Sequence, residues 1–144
     1  MIPFFSKEEG EQIITNIRVA EQNTSGEIRV HIEAKCKGDV LVAAKETFKK
    51  LKMHQTAQRN GVLFFIAPER KEFAILGDDG INKVVPSNFW QDIRDLMQVN
   101  FKTGEFVRGI SEGVALVGEK LKVHFPYYHE EDINELPDDI SYGN

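Results

Sequence analysis

The chain has 144 residues, with 18 Lys and Arg against 23 Asp and Glu, for a formal net charge of −5. At about 150 residues per domain, one domain is the default, and a chain of this size buries roughly 70% of its unfolded surface, enough for its own core. The acidic balance argues against a nucleic-acid partner. The single cysteine, Cys36, excludes an intrachain disulfide framework and a cysteine-based zinc site.

Met1-Ile-Pro-Phe-Phe runs straight into Ser6-Lys-Glu-Glu-Gly-Glu, so no secretory apolar region forms. No apolar run approaches the roughly 20 residues of a membrane helix. The expectation is a cytoplasmic chain with no membrane anchor. Ser6 and Glu9 fit a capping box, and Ile13, Ile14, Ile17 and Ala20 follow at helical spacing, predicting a helix from Ser6 to Gln22. Asn23-Thr-Ser-Gly26 stops it. From Glu27 to Glu33, Ile28, Val30 and Ile32 alternate with polar residues as in a strand. Asp39 caps a second helix with a stripe of Val40, Leu41, Ala44, Phe48 and Leu51.

After Arg59-Asn60-Gly61, the run Val62 to Ala67 suits a strand buried on both faces, and Glu72 to Leu76 returns as its hairpin partner. Beyond Gly77-Asp78-Asp79-Gly80, Ser87 is read as the cap of a helix carrying Phe89, Trp90, Ile93, Leu96, Met97 and Phe101. Phe106, Ile110, Val114, Val117 and Leu121 stripe a last helix, whose glycines, with Gly104, suit close packing. His129 to Asn144 holds six acidic residues and no Lys or Arg, so it is expected to be mobile or loosely docked. The chain divides into a domain of residues 1–126 and an acidic tail of 127–144, and its order of elements describes a layered α/β domain.

This order has a geometric consequence. The first two strands are parallel across a helical crossover and the third is antiparallel to the second, so the start of strand one, the approach to strand two and the exit of strand three converge. Glu27, Arg59, Asn60, Asp78 and Asp79 would meet there. Grouped carboxylates need a compensating cation, and Ca²⁺ and Mg²⁺ prefer oxygen donors, so the group reads as a divalent-metal site. The alternative is a polar turn with a solvated Glu27. Arg59 either holds a phosphate or pairs with Asp78. The spacings match no EF-hand, His-Glu-x-x-His, phosphate loop or hydrolase elbow. The four scattered histidines suit surface or partly buried positions, and Cys36 a small inert one.

Ser25-Gly26-Glu27-Ile28-Arg29-Val30, Arg59-Asn60-Gly61-Val62-Leu63 and the strand ending at Gly77-Asp78-Asp79-Gly80 resemble the TPM domain. Phe101, Thr103-Gly104-Glu105-Phe106 and Gly109-Ile110 resemble its closing segment, and the likeness covers about residues 5 to 123. The resemblance implies a Rossmann-like three-layer α/β/α sandwich with a small mixed central sheet, and a divalent-cation site known in some members. A plant thylakoid member is an acid phosphatase of photosystem repair, and others are accessory factors for membrane proteins. Many carry a signal peptide and an anchor outside the domain, neither of which is expected here. Gly77-Asp-Asp-Gly80 departs from the Gly-aromatic-Gly-like turn of many relatives and adds acid.

The reading is therefore a cation-binding domain, Ca²⁺ before Mg²⁺. Asp78 and Asp79 serve as ligands, Glu27 as ligand or outer acceptor, and Asn60 as a neutral donor. Binding is favoured over turnover, because a carboxylate that ligates a cation loses basicity. The alternative is a metal-dependent phosphatase of low activity on phosphomonoesters, with Arg59 clamping the phosphate. In a further reading the cation is structural and the domain is an interaction module. Phe125-Pro126-Tyr127-Tyr128 and the tail then either dock an unidentified protein partner or cover the domain's own core.

Overall fold

A computed structural model describes residues 5–127 and 136–143. Helix α1 spans Lys7–Glu21 and opens on the expected capping box: Glu9 N donates to Ser6 Oγ at 3.1 Å and Ser6 N to Glu9 Oε1 at 3.0 Å. Strand β1 (Glu27–Glu33), helix α2 (Val40–Lys50), strand β2 (Gly61–Ala67) and strand β3 (Glu72–Gly77) follow. Then come the short helix α3 (Asp79–Asn82), α4 (Gln91–Lys102), α5 (Phe106–Lys122) and strand β4 (Ser141–Gly143).

The sheet order is β3-β2-β1-β4, with β1 parallel to β2 and to β4 and β2 antiparallel to β3. Each face of this mixed sheet carries a core. β2 is buried along its whole length because its alternating side chains serve both. Val62, Phe64 and Ile66 join Ile28, Val30 and Ile32 beneath α1, α4 and α5. Leu63 and Phe65 join Ala44 and Met53 beneath α2. The result is the three-layer α/β/α sandwich that the resemblance implied. At the α1–α5 crossing, a Cβ on Gly118 would lie 2.9 Å from that of Ala20, so glycine sets the approach of the helices.

Three elements differ from expectation. Ser87 caps nothing: residues 87–90 form a turn and α4 begins at Gln91, after Trp90, which makes no side-chain capping bond. The stripe of α2 is narrower, since Leu41 is exposed. The acidic tail is not loosely docked over residues 136–143. Leu136 is buried, and Ser141, Tyr142 and Gly143 align with His31, Ile32 and Glu33. Ser141 Oγ lies 2.7 Å from His31 Nδ1, and Arg18 reaches Asp138 at 3.5 Å. Backbone pairing together with neutralisation of Asp138 by Arg18 holds an acidic segment that composition alone leaves in solvent. Residues 128–135, including Tyr128 and His129, lie outside the described residues. Phe125 is buried in the larger core, and its carbonyl accepts from Ser25 N and Thr24 Oγ1, so this part of the Phe-Pro-Tyr-Tyr segment covers the domain itself.

Candidate functional site

The three segments expected to converge do so. Glu27 N donates to Asn60 O at 3.2 Å, joining the start of β1 to the approach of β2. Asp78 N donates to Gly61 O at 3.0 Å, joining the exit of β3 to the start of β2. Arg59 stands in the left-handed region, at φ 52°, which non-glycine residues occupy at a cost of about 1–3 kcal/mol. Its guanidinium meets the turn after β3. Nε donates to Asp78 Oδ2 at 2.7 Å and Nη2 to Asp78 Oδ1 at 2.9 Å, a bidentate pair, and Nη2 stands 3.6 Å from Asp79 Oδ2. Bonding to Asp78 raises the Arg59 pKa further above its ordinary value.

The two aspartates have different surroundings. The Asp78 side chain is 5% exposed and also caps α3, accepting from Asp79 N at 2.8 Å, whereas that of Asp79 is 73% exposed. Asn60 is 1% exposed. Its Nδ2 donates to Ser25 Oγ at 3.4 Å, while its Oδ1 is buried with no hydrogen-bond partner among the described residues. Glu27, also buried, accepts from Leu136 N at 2.8 Å through Oε1. The structure thus gathers Arg59, Asp78 and Asp79, sets Asn60 against Ser25, and turns Glu27 to the C-terminal segment. Among the described residues, no group of three or more His, Cys, Asp or Glu side chains gathers as a metal cluster.

Support for this corner comes from Asn82, which the sequence did not single out, and from Trp90, Gly77 and Gly80, which it placed in a helix stripe and a turn. Asn82 Nδ2 donates to Gly77 O at 2.8 Å, and Trp90 Nε1 donates to Asn82 Oδ1 at 3.1 Å. The Trp90 ring lies where a Cβ on Gly77 would sit, 2.2 Å from Cζ2. A Cβ on Gly80 would fall 2.1 Å from the Gln58 carbonyl oxygen, so only glycine lets α3 rest on the loop before β2. The sequence held one signal for α3, an aspartate directly before a short polar-to-apolar run.

A mixed four-stranded sheet between two helical layers defines the class of fold. The family model of the TPM domain matches residues 3–120, and the chain belongs to that family. The chain is 45% identical to the BA42 protein of the psychrophilic bacterium Bizionia argentinensis, whose NMR structure superposes with a TM-score of 0.93 over 99% of this chain and 98% of that one. The N-terminal domain of a P. gingivalis protein (18% identity, TM-score 0.67, covering 87% and 82% of the two chains) has the same fold. So does that of the cg2496 protein of Corynebacterium glutamicum (12% identity, TM-score 0.60, covering 95% and 80%). No curated protein matches the chain. Among the described residues, no helix is long and apolar enough to cross a membrane.

Proposed function

We propose that the corner formed by Arg59, Asn60, Asp78 and Asp79 is a divalent-cation site in which the Arg59 guanidinium holds the place of the cation until one binds. The unpartnered Asn60 Oδ1 carries this reading: a buried amide oxygen without a donor costs about 1–3 kcal/mol, which a cation would offset. The donor set fits a hard cation in kind, with carboxylate oxygens from Asp78 and Asp79 and a neutral oxygen from Asn60. Ca²⁺ suits it better than Mg²⁺, because Ca²⁺ tolerates irregular geometry and carbonyl donors. Glu27 is an outer residue here, committed to Leu136.

The residues' own part is binding. Asp78 cannot donate both oxygens to a cation while Arg59 grips both, so binding exchanges one positive partner for another. Arg59 is then released toward solvent, where a phosphate or carboxylate would find it. Calorimetric titration of chelator-treated protein with Ca²⁺ tests the reading. Binding is expected, lost in Asp78→Asn and strengthened in Arg59→Ala, which removes the competing cation. Absence of heat, and of any shift in the melting temperature, at millimolar Ca²⁺ or Mg²⁺ overturns it.

A further inference from the structure

β3 ends the sheet on the side away from β4, so among the described residues its outer edge has no strand neighbour. The bond from Asp78 N to Gly61 O fixes the alternation of the antiparallel ladder. Leu76, Ala74 and Glu72 then pair inward with Leu63, Phe65 and Ala67, while the main-chain groups of Phe73 and Ile75 turn outward. The next outward group, the Gly77 carbonyl, is taken by Asn82. A strand edge left free in solution is normally blunted by charges or proline of its own. Residues 73–77, Phe-Ala-Ile-Leu-Gly, have neither.

The charges lie around the edge. A cleft of about 510 Å³ beside the strand has Phe73 and Phe101 in its lining, with Lys71, Arg94 and Lys102 around them. Its acidic residue, Glu72, is already paired with Arg70 at 2.6 Å. A smaller hollow of about 250 Å³ toward the other end of β3 brings Lys45 beside Phe48 and Leu76. Among the described residues, no ion pair engages Lys45, Lys71, Arg94 or Lys102. An apolar edge bordered by four cations without an ion pair among the described residues stands out on a chain of net charge −5.

We propose that this edge docks an extended acidic polypeptide segment of a partner. The segment adds to β3 as a further strand, with its main chain on Phe73 and Ile75 and its carboxylates over Lys71, Arg94 and Lys102. The opposite edge already shows the mode, since the acidic segment 136–143 pairs with β1 there and sets Asp138 on Arg18. Charge complementarity selects the occupant. A second copy pairing through its own β3 edge would set the same Lys71, Arg94 and Lys102 face to face and is the poorer match, and a small anion would use the cations and leave the outward amides untouched.

The test is a titration of isotope-labelled protein, followed by amide NMR, with a synthetic capped octapeptide alternating Glu or Asp with Val or Ile. Three controls accompany it: the same peptide with Lys at every acidic position, an equally acidic peptide interrupted by proline, and citrate. Expected are shifts and slowed hydrogen exchange at the Phe73 and Ile75 amides with the acidic strand-forming peptide only. Affinity is expected to fall about tenfold in Arg94→Glu/Lys102→Glu at an unchanged melting temperature. If that variant melts early, Lys71→Glu provides the same comparison. The proposal is overturned by an unperturbed β3, by equal binding of citrate or the proline-interrupted peptide, or by a protein that is dimeric in light scattering with the two amides already protected.

Discussion

The carboxyl of Glu21, at the end of α1, hydrogen-bonds the carboxylate of Asp138 in the C-terminal segment, so two acids hold the first helix to the last strand's approach. Burial, then the bond to Asp138, push the Glu21 pKa from 4.5 up to about 10, although its Oε2 also accepts from Ile28 N at 2.9 Å. Glu21 is therefore a neutral donor at pH 7.

A carboxyl whose pKa is raised by folding stabilises fully below its unfolded value, and that contribution is lost as pH climbs toward the folded one. His31 acts in the opposite sense. Burial lowers its pKa below 6.5, so its contribution is present above that value and lost on acidification. The two act against each other just below pH 6.5, and of the pair Glu21 acts alone above 7. Stability should fall from pH 7 to 9 by up to about 1.4 kcal/mol per unit. Glu21→Gln keeps a donor without a proton to lose, so its melting temperature should exceed wild type at pH 8 and change little with pH. A wild-type melt that is flat from pH 7 to 9 would disprove the shared proton.

Removing residues from Leu136 onward should destabilise the domain. Leu136 fills part of the smaller core, and its amide is a donor to the buried Glu27. Loss of this hydrogen bond and of the Leu136 side chain from the core has an expected cost of about 2–4 kcal/mol. Urea unfolding measures it. A midpoint within error of the full chain would show that the segment adds nothing.

At Gly80 the obstacle is main chain. Gly80→Ala sets a methyl on the Gln58 and Arg59 carbonyls, which lack the freedom of a side chain to move aside. A loss of about 1–3 kcal/mol is expected. Gly104→Ala should also destabilise, because Gly104 lies at φ +79°, although no atom stands within 4 Å of its Cβ position. Thermal melts of the two variants separate steric from conformational cost. Trimming Gln58 to Ala should restore nothing at Gly80, since the contact is to its backbone.

Trp90, the chain's one tryptophan, is wired to the turn at Asp78 through Asn82 and the Gly77 carbonyl. If a cation displaces Arg59, the turn after β3 adjusts and the indole emission should shift on addition of Ca²⁺. Asp78→Asn should abolish that response, and Asn82→Ala should weaken it by cutting the relay. An emission change that survives Asp78→Asn would place the cation elsewhere.

Sequence made the layers legible wherever a period was strong. The alternation from Glu27 to Glu33 and the continuous run from Val62 to Ala67 gave strand, face and depth, and together they placed the corner where Arg59 meets Asp78. Elements held by partners distant in sequence escaped. Ser141-Tyr142-Gly143 has no apolar period, and it is a strand because β1 offers it an edge. Glu27 read as a ligand or outer acceptor of a cation, with a solvated strand end as the alternative, since nothing local announces that an amide 109 positions away meets its carboxylate. Ser87 read as a cap on residue type alone, while chain packing of Phe89 and Trp90 starts the helix later.

The partners of β1 differ greatly in how far along the chain they lie. β2 is reached through one crossover, but Ser141 is 110 positions from the His31 it pairs with. The entropic cost of closing a loop grows with its length, so contacts this remote in sequence form after the nearer ones. The sheet is accordingly expected to assemble as three strands with the far edge of β1 open, and β4 to arrive last. A strand that arrives last on so few pairs is also the one whose seat a neighbouring molecule's copy can take. At high concentration during refolding, exchange of residues 136–143 between chains is the misassembly this architecture invites.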